Sequence, residues 1–237
     1  MHASTDDTEE PYTIDETVSH YESLAADKAL FDAEKCLFER YFSSGTGRVL
    51  DLGCGAGRTA AVLDERGYDV VALDVSEPMI ERAQSLFEHL EFQVGDASDL
   101  PYADDSFEYV LFAYGGLDAI SPATQRQRAI AEMDRVCKTG GIVAFSSHNT
   151  LYRYASLLKN PSYFANYHLL HGNLRNLGKR YKRSAYDQGV DWHFSTPIGQ
   201  IREGEKQGLS FIEVVGNRDS ILRYAESQPY YVFRATG

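Results

Sequence analysis

Apolar positions along the chain recur in two rhythms. From Asp15 to Phe42, Val18, Tyr21, Leu24, Phe31, Phe38 and Phe42 stand at roughly three-, four- and seven-residue steps, the apolar face of one helix, open to a break. Gly45 and Gly47 end it. Short, nearly continuous apolar runs then predict strands at Arg48–Leu52, Asp69–Val75, Glu91–Val94, Phe107–Tyr114 and Ile142–Ser147. Helically spaced stretches separate them at Arg58–Arg66, Glu77–Phe87 and Pro122–Cys137, the last closed by Gly140–Gly141. Strand–helix alternation of this kind predicts an α/β parallel sheet with helices on both faces and right-handed connections.

The alternation stops at Asn149. Residues 149–190 carry apolar positions at helical spacing among Tyr, Leu, His and Asn, which predicts an inserted helical subdomain or lid after strand five. Thr196–Pro197 reads as the N-cap and first residue of a short helix ending at Gly208. Phe211–Val215 and Tyr230–Arg234 are the sixth and seventh strands. The remaining segment, residues 1–12, is acidic and polar, and reads as a disordered tail rather than a signal peptide.

Composition narrows the class. The chain has 237 residues, 43% of them hydrophobic, with no apolar run long enough to span a bilayer. Three cysteines, without a CxxC pair or zinc-ligand spacing, predict neither disulfides nor a metal site and point to a reducing, cytoplasmic compartment. Net charge is −12, and Arg outnumbers Lys 16 to 7, a balance suited to high salt and to a halophilic source. Such acidity argues against nucleic-acid binding, which relies on cations at phosphates. The charge is uneven: the 52 residues from Arg135 to Tyr186 contain nine basic side chains and no acid, against a net −21 elsewhere. A focused positive stretch beside the ligand-binding edge favours an anionic substrate, with Arg153, Arg175, Arg180 and Arg183 as candidate contacts.

Three motifs carry chemistry. Val49–Arg58 (VLDLGCGAGR) is a strand entering a glycine-rich turn and a helix, a turn whose backbone can approach a ligand closely. Asp74 ends the next strand, 23 residues after Asp51, where an acid accepts hydrogen bonds from both ribose hydroxyls. Val94-Gly95-Asp96-Ala97 ends strand three, within reach of an adenine amino group. Arg58 stands where the dinucleotide fingerprint needs Gly or Ala, which argues against NAD or FAD but leaves a nucleoside without a pyrophosphate.

On these motifs the chain resembles the class I S-adenosylmethionine (SAM)-dependent methyltransferases that modify small molecules, lipids and sugars. The resemblance is close over about Tyr21–Ser147 and looser over Thr196–Arg234. It implies a Rossmann-like seven-stranded sheet whose last strand, Tyr230–Arg234, runs antiparallel. It implies that Asp51, Gly53, Gly55 and Gly57 line the methionine end of SAM and that Asp74 holds the ribose. Val75 and Met79 would flank the adenine, with Asp96 and Ala97 along its edge. Ala113 and Tyr114 would lie near the sulfonium, and Tyr21 would cover the active site. Phe112-Ala113-Tyr114-Gly115-Gly116 departs from the Asn/Asp-Pro-Pro-aromatic turn of members that methylate exocyclic amines or glutamine amides, which argues against those substrates.

The acceptor side is less specific. His148, after strand five, is the best-placed candidate base; His168, His171 and His193 lie further along. Trp192 and the tyrosines of the insert could pack or stack on a sugar ring. The acidic composition and length resemble haloarchaeal N-glycan methyltransferases, and a hexuronic acid of a lipid-linked cell-surface glycan is the acceptor this implies. The basic insert would then meet the uronate, a lipid phosphate or the anionic membrane surface. A quinone or lipid-precursor acceptor, an RNA acceptor, and a non-catalytic SAM-binding interaction module stay open beside it.

Overall fold

The computed structural model describes residues 15–152, 180–182, 191–217 and 220–237. Helices α1 (Asp15–Ala26) and α2 (Asp32–Tyr41) precede strand β1 (Arg48–Leu52). The alternation then runs α3 (Arg58–Glu65), β2 (Asp69–Asp74), α4 (Glu77–Leu86), β3 (Glu91–Val94), β4 (Phe107–Phe112), α5 (Gly116–Ala119), α6 (Ala123–Val136) and β5 (Cys137–Ser146). A small pair, β6 (Arg180–Lys182) and β7 (Asp191–His193), leads to α7 (Pro197–Lys206), β8 (Ser210–Val215), a 3₁₀ turn at Ile221–Ala225 and β9 (Tyr230–Arg234). The main sheet has seven strands in the order β3-β2-β1-β4-β5-β9-β8. Strands β1 to β5 are parallel, and β9 runs antiparallel between β5 and β8.

Each central strand alternates its side chains between two cores. Val49, Val70, Ala72 and Leu111 face one layer with α2 and α3. Leu50, Val71, Leu73 and Val110 face the other with Ala129, Ile130 and Met133 of α6. Burial on both faces is why these strands read as continuous apolar runs instead of alternating ones. Reversal of strand order on either side of β1 opens a crevice at the carboxyl ends of β1 and β4, the place where open α/β sheets bind ligands.

The structure departs from the sequence reading at two glycine-containing turns and decides a point left open there. The break allowed in the first helix is present, and the helix is two. Lys28 adopts φ 48°, and Glu34 of α2 reaches back to accept the Phe31 N–H at 2.9 Å, so the chain restarts with its own cap. Gly140–Gly141 does not close a helix: it lies inside β5, in the irregular stretch opposite β4 where Phe107 pairs with Cys137 and Tyr109 with Ile142. A Cβ on Gly141 would sit 2.6 Å from the Glu108 carbonyl oxygen, so the close approach admits only glycine. Strand four ends at Phe112, and Tyr114 and Gly115 turn with positive φ into the one-turn helix α5.

Arg180–Lys182, in the predicted insert, pairs antiparallel with Asp191–His193, just past its end. Arg-Tyr-Lys and Asp-Trp-His both alternate polar and aromatic residues, a period-two signal of which the first half falls in a stretch read as helical. Arg153, Arg175, Arg183, His168 and His171 lie outside the described residues, as does the acidic tail 1–12. Among the described residues no helix is long and apolar enough to cross a membrane.

Candidate active site

A cavity of about 610 Å3 opens at the carboxyl ends of β1, β2, β3 and β4. Gly53, Gly55, Asp74, Val75, Met79, Asp96, Ala97, Ala113 and Tyr114 all line it, and Tyr21 of α1 closes it from above. Positions spread over some ninety residues of sequence therefore meet in one place. Asp51 and Gly57 do not line it. They hold its floor.

Asp51 is fully buried, and its Oδ2 accepts the Thr59 hydroxyl at 2.6 Å, which ties the end of β1 to the start of α3. Its Oδ1 has no partner among the described residues. Gly57, the N-cap of α3, has φ 90°, and a Cβ there would meet the Phe92 ring at 2.9 Å. Both features let the glycine-rich turn lie flat between the sheet and the cavity.

Burial pushes the Asp51 carboxyl up to about 7, against the lowering pull of Thr59 and Arg58. A carboxyl raised from its ordinary value of about 3.9 holds its proton more tightly in the folded chain than in the unfolded one. The stability this confers is fully present below about pH 4 and is lost as pH rises to about 7. Asp51→Asn removes the titration. Between pH 5 and pH 8 the variant is expected to gain on the wild type by about 3 kcal/mol in denaturant unfolding, and a difference constant with pH would contradict the assignment.

Asp74 organises the donor end. Its Oδ2 accepts the Gly55 N–H at 2.8 Å and its Oδ1 accepts the Ser76 N–H at 2.9 Å. Burial raises its pKa, and those two backbone donors oppose the rise. Ser76 in turn caps α4, accepting the Met79 N–H, which sets Val75 and Met79 beside the cavity. Asp96 folds its own loop, its Oδ1 accepting the Ser98 N–H at 2.7 Å.

Arg58 is explained by a network that sequence reading missed. Its guanidinium forks onto Glu34, Nη1 to Oε2 at 2.5 Å and Nη2 to Oε1 at 2.7 Å, and Nη1 also donates to the Ala29 carbonyl. Tyr230 donates its hydroxyl to Glu34 Oε1 at 2.9 Å. Glu34 is 1% exposed, so this is a buried ion pair. Burial works against the Arg58 charge, and the Glu34 bonds outweigh it and hold its pKa above the usual value. The guanidinium plane also lies over Phe31 (4.6 Å) and Tyr114 (5.7 Å). Phe31 stacks on Tyr114 at 4.8 Å, and Tyr21 meets Tyr114 edge-on at 6.3 Å. An aromatic roof over the cavity is thus anchored by one charge pair between α2 and α3.

His148 does not line the cavity. It lies behind it, between Trp192 and Phe194, each 4.9 Å away, and Trp192 lines the cavity wall. Its partner is Asp118 of α5, fully buried. Asp118 Oδ2 accepts the His148 backbone N–H at 2.6 Å and faces Nδ1 at 2.9 Å, and Oδ1 accepts the Ser147 hydroxyl at 2.8 Å. A ring that donates through Nδ1 to this oxygen leaves Nε2 as its acceptor. Asp118 and His148 are thirty residues apart, and only the adjacency of β4 and β5 joins them. His193 sits in β7, paired with Arg180.

The donor set suits a nucleoside bound through ribose hydroxyls. An acid ends β2 at the cavity floor, apolar Val75 and Met79 stand beside it, and a second acid follows β3, and among the described lining residues the one cation, Arg58, is committed to Glu34. These residues fit SAM.

Residues 49–141 match a family model described as a methyltransferase domain. The chain is 40% identical over 105 residues to a demethylmenaquinone methyltransferase of Renibacterium salmoninarum, covering 44% of this chain and 43% of that protein. It is 35% identical over 99 residues to a malonyl-[acyl-carrier protein] O-methyltransferase of Salmonella typhimurium, covering 42% and 38%. These matches span about two-fifths of each relative's length. Among solved structures, a SAM-dependent methyltransferase of Methanosarcina mazei superposes with TM-score 0.66 at 18% identity, over 84% of this chain and 96% of that one. A Haloferax volcanii chain from a complex with the Trm112 methyltransferase activator superposes with TM-score 0.65 at 18% identity, over 99% and 100%. Residues 49–141 thus match a methyltransferase-domain family, and the sheet order is the fold that these solved structures share.

Proposed function

We propose that the protein transfers the methyl group of SAM to a small-molecule acceptor that enters between Tyr21, Tyr114 and Trp192. What carries this reading is the continuity of one cavity from the Asp74 end to that aromatic end. Bound SAM supplies a methyl group already activated on a positively charged sulfur. The chain's own task is alignment and exclusion of water. Asp74 orients the ribose, Gly53 and Gly55 give the backbone close approach, and Tyr21 and Tyr114 wall off solvent.

The aromatic lining favours a planar, largely apolar acceptor. Among the described residues lining the cavity, Arg58 is the one cation, and it is committed to Glu34. The demethylmenaquinone methyltransferases, which by name act on a quinone precursor, support a quinol or related lipid precursor. The second reading is an anionic acceptor, with a hexuronic acid of a lipid-linked glycan as its most specific form. The acid-free stretch from Arg135 to Tyr186 favours it, through Arg153, Arg175, Arg180 and Arg183, as does its fit to an anionic membrane face.

The two readings separate on the fate of a label. Methyl-labelled SAM is incubated with the protein and cell extract, and the products are fractionated. Base-stable label in the quinone and lipid fraction supports the first reading, and base-labile label in glycolipid supports the second. No label anywhere would favour a non-catalytic module.

A quinol must lose a proton on methylation, whereas a uronate is already ionised. In the first reading His148 Nε2, behind the Trp192 wall, receives that proton through an intervening water rather than from the acceptor directly, with Asp118 as positioning residue. Asp118→Asn lets Nδ1 act as acceptor and flips the tautomer. Its expected effect on labelling of the identified acceptor is a loss of about 10²–10⁴-fold in kcat, little change in KM for SAM, and loss of the acidic limb of the pH profile. An unaltered profile would remove His148 from the reaction.

A further inference from the structure

We infer that two exposed apolar turns at the carboxyl edge of the sheet seat the protein on an anionic lipid bilayer, beside the wall through which the acceptor enters. The inference rests on the lipid-borne acceptor that both readings above name, and it deepens them by placing where such an acceptor is met.

Strands β5 and β8 end, and β9 begins, at the edge that carries the cavity. Two connections there hold apolar side chains out to solvent. In the 3₁₀ turn between β8 and β9, Ile221 is 82% exposed and Leu222 52%, while Tyr224 packs on the core side. Ser220 fixes the turn, its Oγ accepting the Leu222 N–H at 3.2 Å. After β5, Leu151 and Tyr152 are exposed as well. Buried Asn149 fastens the two turns together. Its Nδ2 donates to the Tyr224 and Glu226 carbonyls at 2.8 and 2.9 Å, and its Oδ1 accepts the Leu151 N–H at 2.9 Å. The same segment is bonded to the chain just past Trp192 of the cavity wall: the Ser195 N–H donates to the His148 carbonyl at 3.2 Å, and the Thr150 N–H to the Ser195 carbonyl at 2.9 Å.

Grouped apolar side chains held out by fixed turns mark an interaction surface. Charge selects the partner. Leu151 and Tyr152 lie inside the acid-free stretch Arg135–Tyr186, and seven of its nine basic residues follow them in sequence, from Arg153 to Arg183. Glu226, the acid beside the second turn, is turned back onto the Asn217 N–H at 2.7 Å. Apolar side chains next to a basic segment suit the headgroup boundary of an anionic bilayer, and a tyrosine ring sits well at that depth. The rest of the chain, net −21, is repelled by such a surface, which turns this end towards it.

The test is co-sedimentation of the full chain with vesicles, either of phosphatidylcholine alone or of phosphatidylcholine and phosphatidylglycerol in equal parts, without SAM or acceptor. The wild type is expected to partition onto the mixed vesicles at least about tenfold better than onto phosphatidylcholine alone. Ile221→Ser combined with Leu222→Ser should weaken binding to the mixed vesicles about tenfold, with an unchanged thermal melt. Ile221→Trp should tighten it about threefold, a gain that misfolding cannot produce. A wild type that ignores the mixed vesicles, or binding unchanged in both variants, would overturn the inference. So would a wild type that is dimeric by light scattering and a double variant that is monomeric, since a second copy would then cover the patch. Vesicle binding is read without methyl transfer, so a negative result strikes the bilayer contact alone and leaves the proposed transfer to be judged by the label.

Discussion

Asp74→Ala is expected to weaken S-adenosylhomocysteine binding by at least about 100-fold while leaving the chain folded. Two losses combine. The carboxylate is the group that resemblance places on the ribose hydroxyls, and each hydrogen bond to a charged group contributes about 1.5–3 kcal/mol. The same carboxylate fixes the Gly55 N–H and the Ser76 N–H, so its removal also frees the glycine-rich turn and the start of α4. Asp74→Asn keeps one acceptor oxygen and should fall between, at roughly tenfold. Calorimetric titration measures both, with circular dichroism as the check on folding. Affinity of Asp74→Ala within about threefold of wild type would exclude Asp74 from the donor site.

The largest expected loss of stability comes from Glu34→Ala. It strands the Arg58 guanidinium, 8% exposed, without its counter-ion and removes the acceptor used by Tyr230 and by the Phe31 N–H. Breaking one side of a buried pair costs about 3–5 kcal/mol, on the order of 10 °C in Tm for a chain of this size. Replacing both partners, as in Glu34→Leu with Arg58→Met, should recover most of that, because the isolated charge is the costly element. Thermal melts of the single and double variants decide it. Equal destabilisation in both would show that shape, not charge, dominates. The aromatic roof gives a second readout. Phe31 and Tyr114 stack beneath this guanidinium, so Glu34→Ala should also loosen the cover over the cavity and raise the dissociation rate of S-adenosylhomocysteine.

The residues that sequence reading gave to the donor half meet in one cavity because that half is local. Gly53, Gly55, Asp74 and Asp96 lie at or just after strand ends, and a parallel sheet brings successive strand ends to one edge whatever the loops do. The strands themselves were legible because burial on both faces leaves uninterrupted apolar runs. What escaped was non-local. Nothing near Arg58 in sequence announces Glu34, and only packing of α2 across α3 pairs them. Asp118 hides in a one-turn helix after a strand whose end was placed two residues late. The position of the helix break was not legible because apolar spacing continues through Lys28, while the cap that restarts the chain is a side chain reaching back from Glu34. In β5 a glycine pair looked like a helix stop and was instead a bulge, a distinction that depends on the Glu108 carbonyl of the neighbouring strand.

The central claim is that the strand-end residues form one donor site for SAM. A crystal structure of the chain with S-adenosylhomocysteine tests it most directly. The ligand is expected in this cavity, with ribose hydroxyls on Asp74, the base beside Met79 and Asp96, and the sulfur beside Ala113 and Tyr114. A ligand bound elsewhere, or a ribose that avoids Asp74, would contradict it.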